Sequence, residues 1–202
     1  MKKYLLIIGL FVFVTKGNTQ NIKEMHTQEI ATFGGGCFWC TEAIFEELKG
    51  VISVESGYSG GETKNPTYKD ICTGMSGHAE VIHITFDPNK IHYSELLDVF
   101  FATHNPTTLN QQGADRGTQY RSVVFYHSEE QKIATHTFIK ELEKAQVFDT
   151  DIVTEISKFD LFYKAEDYHQ NYFKNNKTQG YCNAVINPKL VKFRKQFKAK
   201  LK

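Results

Sequence analysis

The spacing of apolar positions changes period several times along this chain, and each change marks an element. Over residues 79–87, Ile82, Ile84 and Phe86 alternate with Val81, His83 and Thr85, the two-residue repeat of a strand. Residues 29–34, 51–58, 120–127 and 151–157 read as further strands. The period lengthens to that of a helix over 37–49, where Ala43, Ile44, Phe45 and Leu48 line up and Gly50 supplies a stop. It does so again over 93–103, with Leu96, Leu97, Phe100 and Phe101 turned inward. Ser128-Glu129-Glu130-Gln131 has the form of a capping box that opens a helix to about residue 146, and 165–175 reads as a shorter helix. The stretch 189–202 is basic with Leu190, Phe193 and Phe197 interleaved, the pattern of a docked amphipathic tail. Strands and helices mix without a βαβ rhythm, so the expected class is α+β: a mixed or antiparallel sheet with flanking helices. Two polar, glycine-bearing stretches, 61–75 and 105–119, are too long for plain connectors and are expected to be functional loops.

The first residues follow a different pattern. Met1-Lys2-Lys3 precedes an apolar run over 4–14 and a polar exit to about 22. This is the layout of a secretory signal, and the run is short for a bilayer-spanning helix. The expectation is a signal peptide over 1–20, a folded domain over 21–202, and export to the periplasm, with an uncleaved tether as the alternative. An exported protein meets an oxidising compartment, where a working dithiol needs a dedicated reductant.

Composition narrows the partners. The chain has 202 residues, enough for one domain with a sizeable core. Its 24 Lys and Arg balance 23 Asp and Glu, so there is no electrostatic case for nucleic acid. A monomer is expected.

The candidate chemistry gathers at Gly34-Gly35-Gly36-Cys37-Phe38-Trp39-Cys40. Glycines let a ligand approach the backbone, and a cysteine opening a helix faces unpaired N–H groups that favour thiolate. Phe38 and Trp39 set apolar surface beside that nucleophile, which suits a small apolar substrate group. Zinc would require a second close Cys/His pair; Cys72 and Cys182 stand far apart and the eight histidines show no ligand spacing. A general thiol–disulfide oxidoreductase would require a thioredoxin-like βαβ frame before the motif, and none is visible.

Further polar groups share the theme. Gly36-Cys37-Phe38-Trp39-Cys40, Gly57-Tyr58-Ser59-Gly60-Gly61, Asn65-Pro66-Thr67-Tyr68, Gly77-His78-Ala79-Glu80 and Gly117-Thr118-Gln119-Tyr120-Arg121-Ser122 occur in this order. With Ala165-Glu166-Asp167-Tyr168-His169-Gln170, this set resembles the type A peptide methionine sulfoxide reductases from about Ile30 to Phe197. The resemblance implies a two-layer α+β sandwich with a ferredoxin-like core and reduction of the S epimer of methionine sulfoxide, free or in proteins. It implies Cys37 as nucleophile, Glu80 as the acid near the sulfoxide oxygen, and Tyr68 and Tyr120 as donors to that oxygen. Phe38 and Trp39 would hold the S-methyl group, and Asp115 would orient substrate through water. The products would be methionine and a Cys37 sulfenic acid, which a second thiol turns into a disulfide for thioredoxin or a similar dithiol protein to reduce. No metal, flavin or nucleotide is implied.

The resolving thiol stays open between Cys40 and Cys182, with Cys72 read as structural. Cys40 is three residues from Cys37, which on one helical turn gives about 5–6 Å between Cα atoms. Cys182, in Gly180-Tyr181-Cys182-Asn183, lies in a glycine-flanked segment that could reach the site. One departure stands out: the family commonly has His-Asp-Pro where this chain has His104-Asn105-Pro106. That substitution loses a carboxylate near the second loop.

Overall fold

The computed structural model describes residues 28–202, so the signal segment expected over 1–20 lies outside the described residues. Strand β1 (Glu29–Gly35) runs into helix α1 (Phe38–Phe45), and β2 (Val51–Ser59) follows. Helix α2 (Tyr68–Cys72) leads to β3 (Ala79–Phe86) and α3 (Tyr93–Thr103). A two-stranded ribbon, β4 (Gln111–Gln112) and β5 (Asp115–Arg116), precedes β6 (Ser122–Tyr126) and α4 (Glu129–Lys144). The chain closes with β7 (Glu155–Lys158), β8 (Phe162–Lys164), α5 (Tyr172–Asn175) and α6 (Asn187–Gln196).

Six strands form one sheet in the order β7-β6-β1-β3-β2-β8. Every neighbouring pair is antiparallel except β6 and β7. The two-residue repeat of β3 decides which side does what. Glu80, Ile82, Ile84 and Phe86 face the helical layer, while Ala79 and Val81 join Val123 and Phe125 on the other side, under Phe159 and Phe162. Glu80 therefore enters the core by its position in the strand. The helical side gathers α1, α3 and α6 around Phe33, Phe45 and Phe100. The two-layer α+β reading holds. The basic tail docks as read, with Leu190 and Phe193 on α6 and Phe197 just beyond it buried.

Several local readings change. Helix α1 ends at Phe45, although Leu48 stays buried behind it. Residues 118–120 form a 3₁₀ turn, so β6 begins at Ser122, and β7 begins at Glu155. The first polar loop contains α2, capped reciprocally by Thr67 and Asp70. The box at α4 is only half formed: Ser128 accepts from the Gln131 N–H, but the Gln131 side chain takes the His127 N–H and donates to the Ile30 carbonyl. The helix expected over 165–175 breaks into a 3₁₀ turn at Asp167–His169 and the short α5, because Asn171 takes the left-handed conformation (φ 53°).

Candidate active site

The elbow between β1 and α1 is built by close packing. A Cβ at Gly34 would meet Val123 at 2.7 Å, one at Gly35 would meet Phe100 at 2.9 Å, and one at Gly36 would meet Gln112 at 2.6 Å. Gly36 also holds φ at 89°, a region that L side chains rarely adopt. These glycines admit the protein's own side chains, where sequence suggested a ligand. Gln112 is buried and clamps the second loop through both the N–H and the carbonyl of Asn105. The Asn105 side chain itself turns back onto Thr107, so the amide in place of the family's carboxylate serves a local turn.

Cys37 caps α1 and is 8% exposed, and Cys40 is 3% exposed in the first turn, where its N–H donates to the Cys37 carbonyl at 3.0 Å. All four cysteines are free thiols. Burial pushes the Cys37 thiol well above the ordinary range, helped by its hydrogen bond to Cys40 and by the charge of Glu80. The same hydrogen bond brings Cys40 down to about 7 against the opposing effect of burial, with Lys189 assisting. The two thiols share a hydrogen bond, and burial works against the thiolate that the helix N-terminus favours at Cys37.

Glu80 is 1% exposed and accepts from the Phe38 N–H at 3.1 Å, so it sits directly against the cysteine elbow. Burial raises its pKa to about 8, with the Asp115 charge adding to the rise against the Phe38 hydrogen bond. It is protonated at neutral pH. Tyr68 and Tyr120 are half-buried next to it, and burial and then the Glu80 charge push both phenols up. Two neutral O–H donors and one neutral acid thus share the space beside Cys37. Such groups can supply protons and hydrogen bonds to an oxygen bearing negative charge.

The apolar wall is a stack. Trp39 lies flat on Tyr172 at 3.6 Å between ring centroids and meets Tyr181 edge-on at 5.8 Å. Its indole N–H donates to His169 Nδ1 at 3.0 Å. Phe38 is fully buried behind it, against Tyr58 and His169. Asp115, on β5, accepts from the Tyr181 hydroxyl at 2.8 Å.

All the residues singled out for chemistry except two converge here. Cys182 is fully buried under the docked tail, in the π-helical turn Cys182–Ile186. Cys72 is exposed at the end of α2, with its thiol against the Tyr68 hydroxyl. Sequence reasoning missed the supports. Glu166 accepts from the Tyr58 hydroxyl at 2.9 Å and the Tyr68 N–H at 2.8 Å, tying α2 to the site. Buried Glu42 accepts from the N–H groups of Asn171 and Tyr172 and so fixes the ring under Trp39; burial lifts its pKa to about 7. Glu166 and His169 lie inside a segment that carried the resemblance, so their place in that motif was the available signal; Tyr181 lies outside those motifs. Glu42 had none.

Comparison with known proteins agrees with this geometry. Residues 29–201 match the family model described as Peptide methionine sulfoxide reductase. The peptide methionine sulfoxide reductase MsrA of Polynucleobacter asymbioticus is 52% identical over 177 residues, covering 88% of this chain and 93% of that protein. The crystal structure of Mxr1 from Saccharomyces cerevisiae in reduced form superposes with a TM-score of 0.70 at 34% identity, covering 77% of this chain and 89% of the yeast chain. The same yeast protein in complex with Trx2 superposes with a TM-score of 0.51 at 25% identity, covering 74% of this chain and 87% of the yeast chain. With the match running from β1 through the docked tail, and half the residues shared with a named reductase, the chain belongs to the peptide methionine sulfoxide reductase family.

Proposed function

We infer that this protein reduces methionine S-sulfoxide, free or within oxidised proteins, to methionine, and that Cys37 is the nucleophile. The observation that carries the assignment is the buried Glu80 carboxyl hydrogen-bonded to the N–H of Phe38, the residue that follows Cys37. Oxide is a poor leaving group, so thiol attack on the sulfoxide needs a proton or strong donors at its oxygen. Glu80 supplies the proton, and Tyr68 and Tyr120 donate to the same oxygen. Trp39 offers its face to the S-methyl group with Phe38 behind it, and Asp115 orients the substrate through water.

Up to the disulfide, the steps balance without an outside oxidant or reductant. As Cys37 sulfur attacks, its own proton passes to Cys40, its hydrogen-bond partner. Oxygen moves to Cys37, leaving methionine and a sulfenic acid. Cys40, in the same helical turn, resolves it to a disulfide with loss of water. Thioredoxin or a thioredoxin-like dithiol protein reduces that disulfide, and Cys182, buried under the tail, is the alternative resolving thiol. The layout of residues 1–20 supports export, so the reductant is one of the periplasm; a fusion to a reporter active only outside the cytoplasm tests this.

The direct test incubates the protein with dithiothreitol and each sulfoxide epimer separately. Methionine forms from the S epimer alone, and Cys37→Ser abolishes it with the fold intact by circular dichroism. Turnover of neither epimer by folded, reduced protein overturns the assignment.

A further inference from the structure

Tyr181 reaches from the tail back into the site. Its hydroxyl donates to Asp115 Oδ2 at 2.8 Å and lies 3.9 Å from Cys40 Sγ, within reach for sulfur. A phenol has one proton. With that proton directed at Asp115, the lone pairs of the oxygen are what Cys40 meets, so a protonated Cys40 donates to Tyr181. We propose that Cys40, Tyr181 and Asp115 form a proton relay that serves disulfide formation, with Tyr181 as the link that frees the resolving thiol of its proton.

The relay rests on the reductase reading and answers a need that reading creates. After oxygen transfer Cys40 carries the proton it took from Cys37, and a thiol is a far weaker nucleophile than a thiolate. In resolution the Cys40 sulfur forms a bond to Cys37 sulfur and the S–O bond breaks. The Cys40 proton passes to the Tyr181 oxygen as the Tyr181 proton passes to Asp115, and a proton from Asp115 completes water with the departing hydroxide. The sum is sulfenic acid plus thiol giving disulfide plus water.

The other groups near Cys40 cannot do this. The Lys189 ammonium has no lone pair to offer, Glu80 has by then given up its proton but is engaged by the Phe38 N–H and makes no hydrogen bond to Cys40, and burial raises the pKa of the Cys182 thiol. Burial, followed by the charges of Cys37 and Cys40, pushes the Tyr181 phenol far above its ordinary range. The relay accordingly passes the Tyr181 proton to Asp115 as the Cys40 proton arrives, without releasing a free phenolate.

Tyr181→Phe keeps the ring against Trp39 and removes the link. Reduced full-length protein is mixed with one equivalent of methionine S-sulfoxide without reductant. Methionine release reads the first step, and loss of free thiols reads the second. For the variant, disulfide formation slows at least about tenfold more than methionine release does. The Cys37 sulfenic acid then accumulates and is trapped by dimedone, and raising the pH restores the disulfide rate because hydroxide takes the Cys40 proton. Equal slowing of both steps, or a disulfide rate and pH profile like those of the unaltered protein, overturns the relay. Absence of methionine release from the unaltered protein instead overturns the reductase reading beneath it. Should the variant fail to fold, a proton inventory on the unaltered protein decides: a curved inventory for disulfide formation supports two protons in flight, and a linear one overturns the relay.

Discussion

The cysteine elbow and the segment that closes over it hold the site by different physics. At the elbow, residues 34–40 are fixed by contiguous chain: a strand, three glycines packed against neighbours, and a helix start. The closing segment, 165–182, has little regular structure of its own. It is held by side chains that reach backbone groups from far away: Glu42 to Asn171, 129 residues on, and Glu166 to Tyr68, 98 residues back. The elbow fixes the reacting sulfur, and the closing segment supplies the stack under Trp39 and the hydroxyl on Asp115. Disturbing the first should stop the chemistry, whereas disturbing the second should loosen recognition and recycling.

The largest effect expected on the elbow side, short of removing Cys37, comes from its acid. Glu80→Gln keeps the hydrogen bond from Phe38 but has no proton to give. Single-turnover methionine release should slow by roughly 10²-fold or more with substrate affinity nearly unchanged. The sign of the pH response follows from the raised carboxyl. In the unaltered protein the acid is present below about 8 and lost as pH rises through that value, so the reduction step declines there. Glu80→Gln should remove this decline. An unchanged single-turnover rate would take Glu80 out of the acid role.

Next come paired substitutions, one in each region. Gly36→Ala must hold φ near 89° and push its Cβ into Gln112 at 2.6 Å. Strain of this kind costs about 1–3 kcal/mol, so the melting temperature and the methionine burst should both drop. Glu42→Ala leaves the Asn171 and Tyr172 N–H groups without their acceptor, about 1–3 kcal/mol confined to the closing segment. Amide exchange should rise at Asn171 and Tyr172 while β1 and α1 stay protected. If Glu42→Ala instead loosened the elbow equally, the two regions would be one cooperative unit.

The same division explains what could be read from sequence. The sheet, α3 and the core face of β3 follow from local periodicity, so Glu80 was assigned to a strand before its burial was known. Cys37, Tyr68, Tyr120 and Asp115 were found because each stands in a motif with a chemical theme. The helix expected over 165–175 failed because its apolar spacing ignores Asn171, whose left-handed turn is held by Glu42 from another element. The effect of burial on Cys37 was hidden for a related reason. Sequence shows a helix start, but the burial that raises Cys37 depends on what packs over it. Gln112 and Tyr181 likewise act through contacts that no window of sequence contains.

The smallest effect expected belongs to His169, and it tests the closing segment most finely. Its Nδ1 accepts from the Trp39 indole, a donor-only group, so the ring proton sits on Nε2. That nitrogen is buried without a hydrogen-bond partner, and the nearest carboxylate oxygen, on Glu166, is 3.9 Å away. His169 therefore contributes through Trp39. His169→Phe keeps an aromatic ring against Phe38 but strands the indole N–H, at about 1 kcal/mol, and should raise KM several-fold with kcat little changed. His169→Asn can present an oxygen where Nδ1 stood and should recover most of that loss. Equal defects in both variants would mean that ring packing, and not the acceptor, holds Trp39. A fall in kcat with KM unchanged would move His169 from the wall of the site into its chemistry.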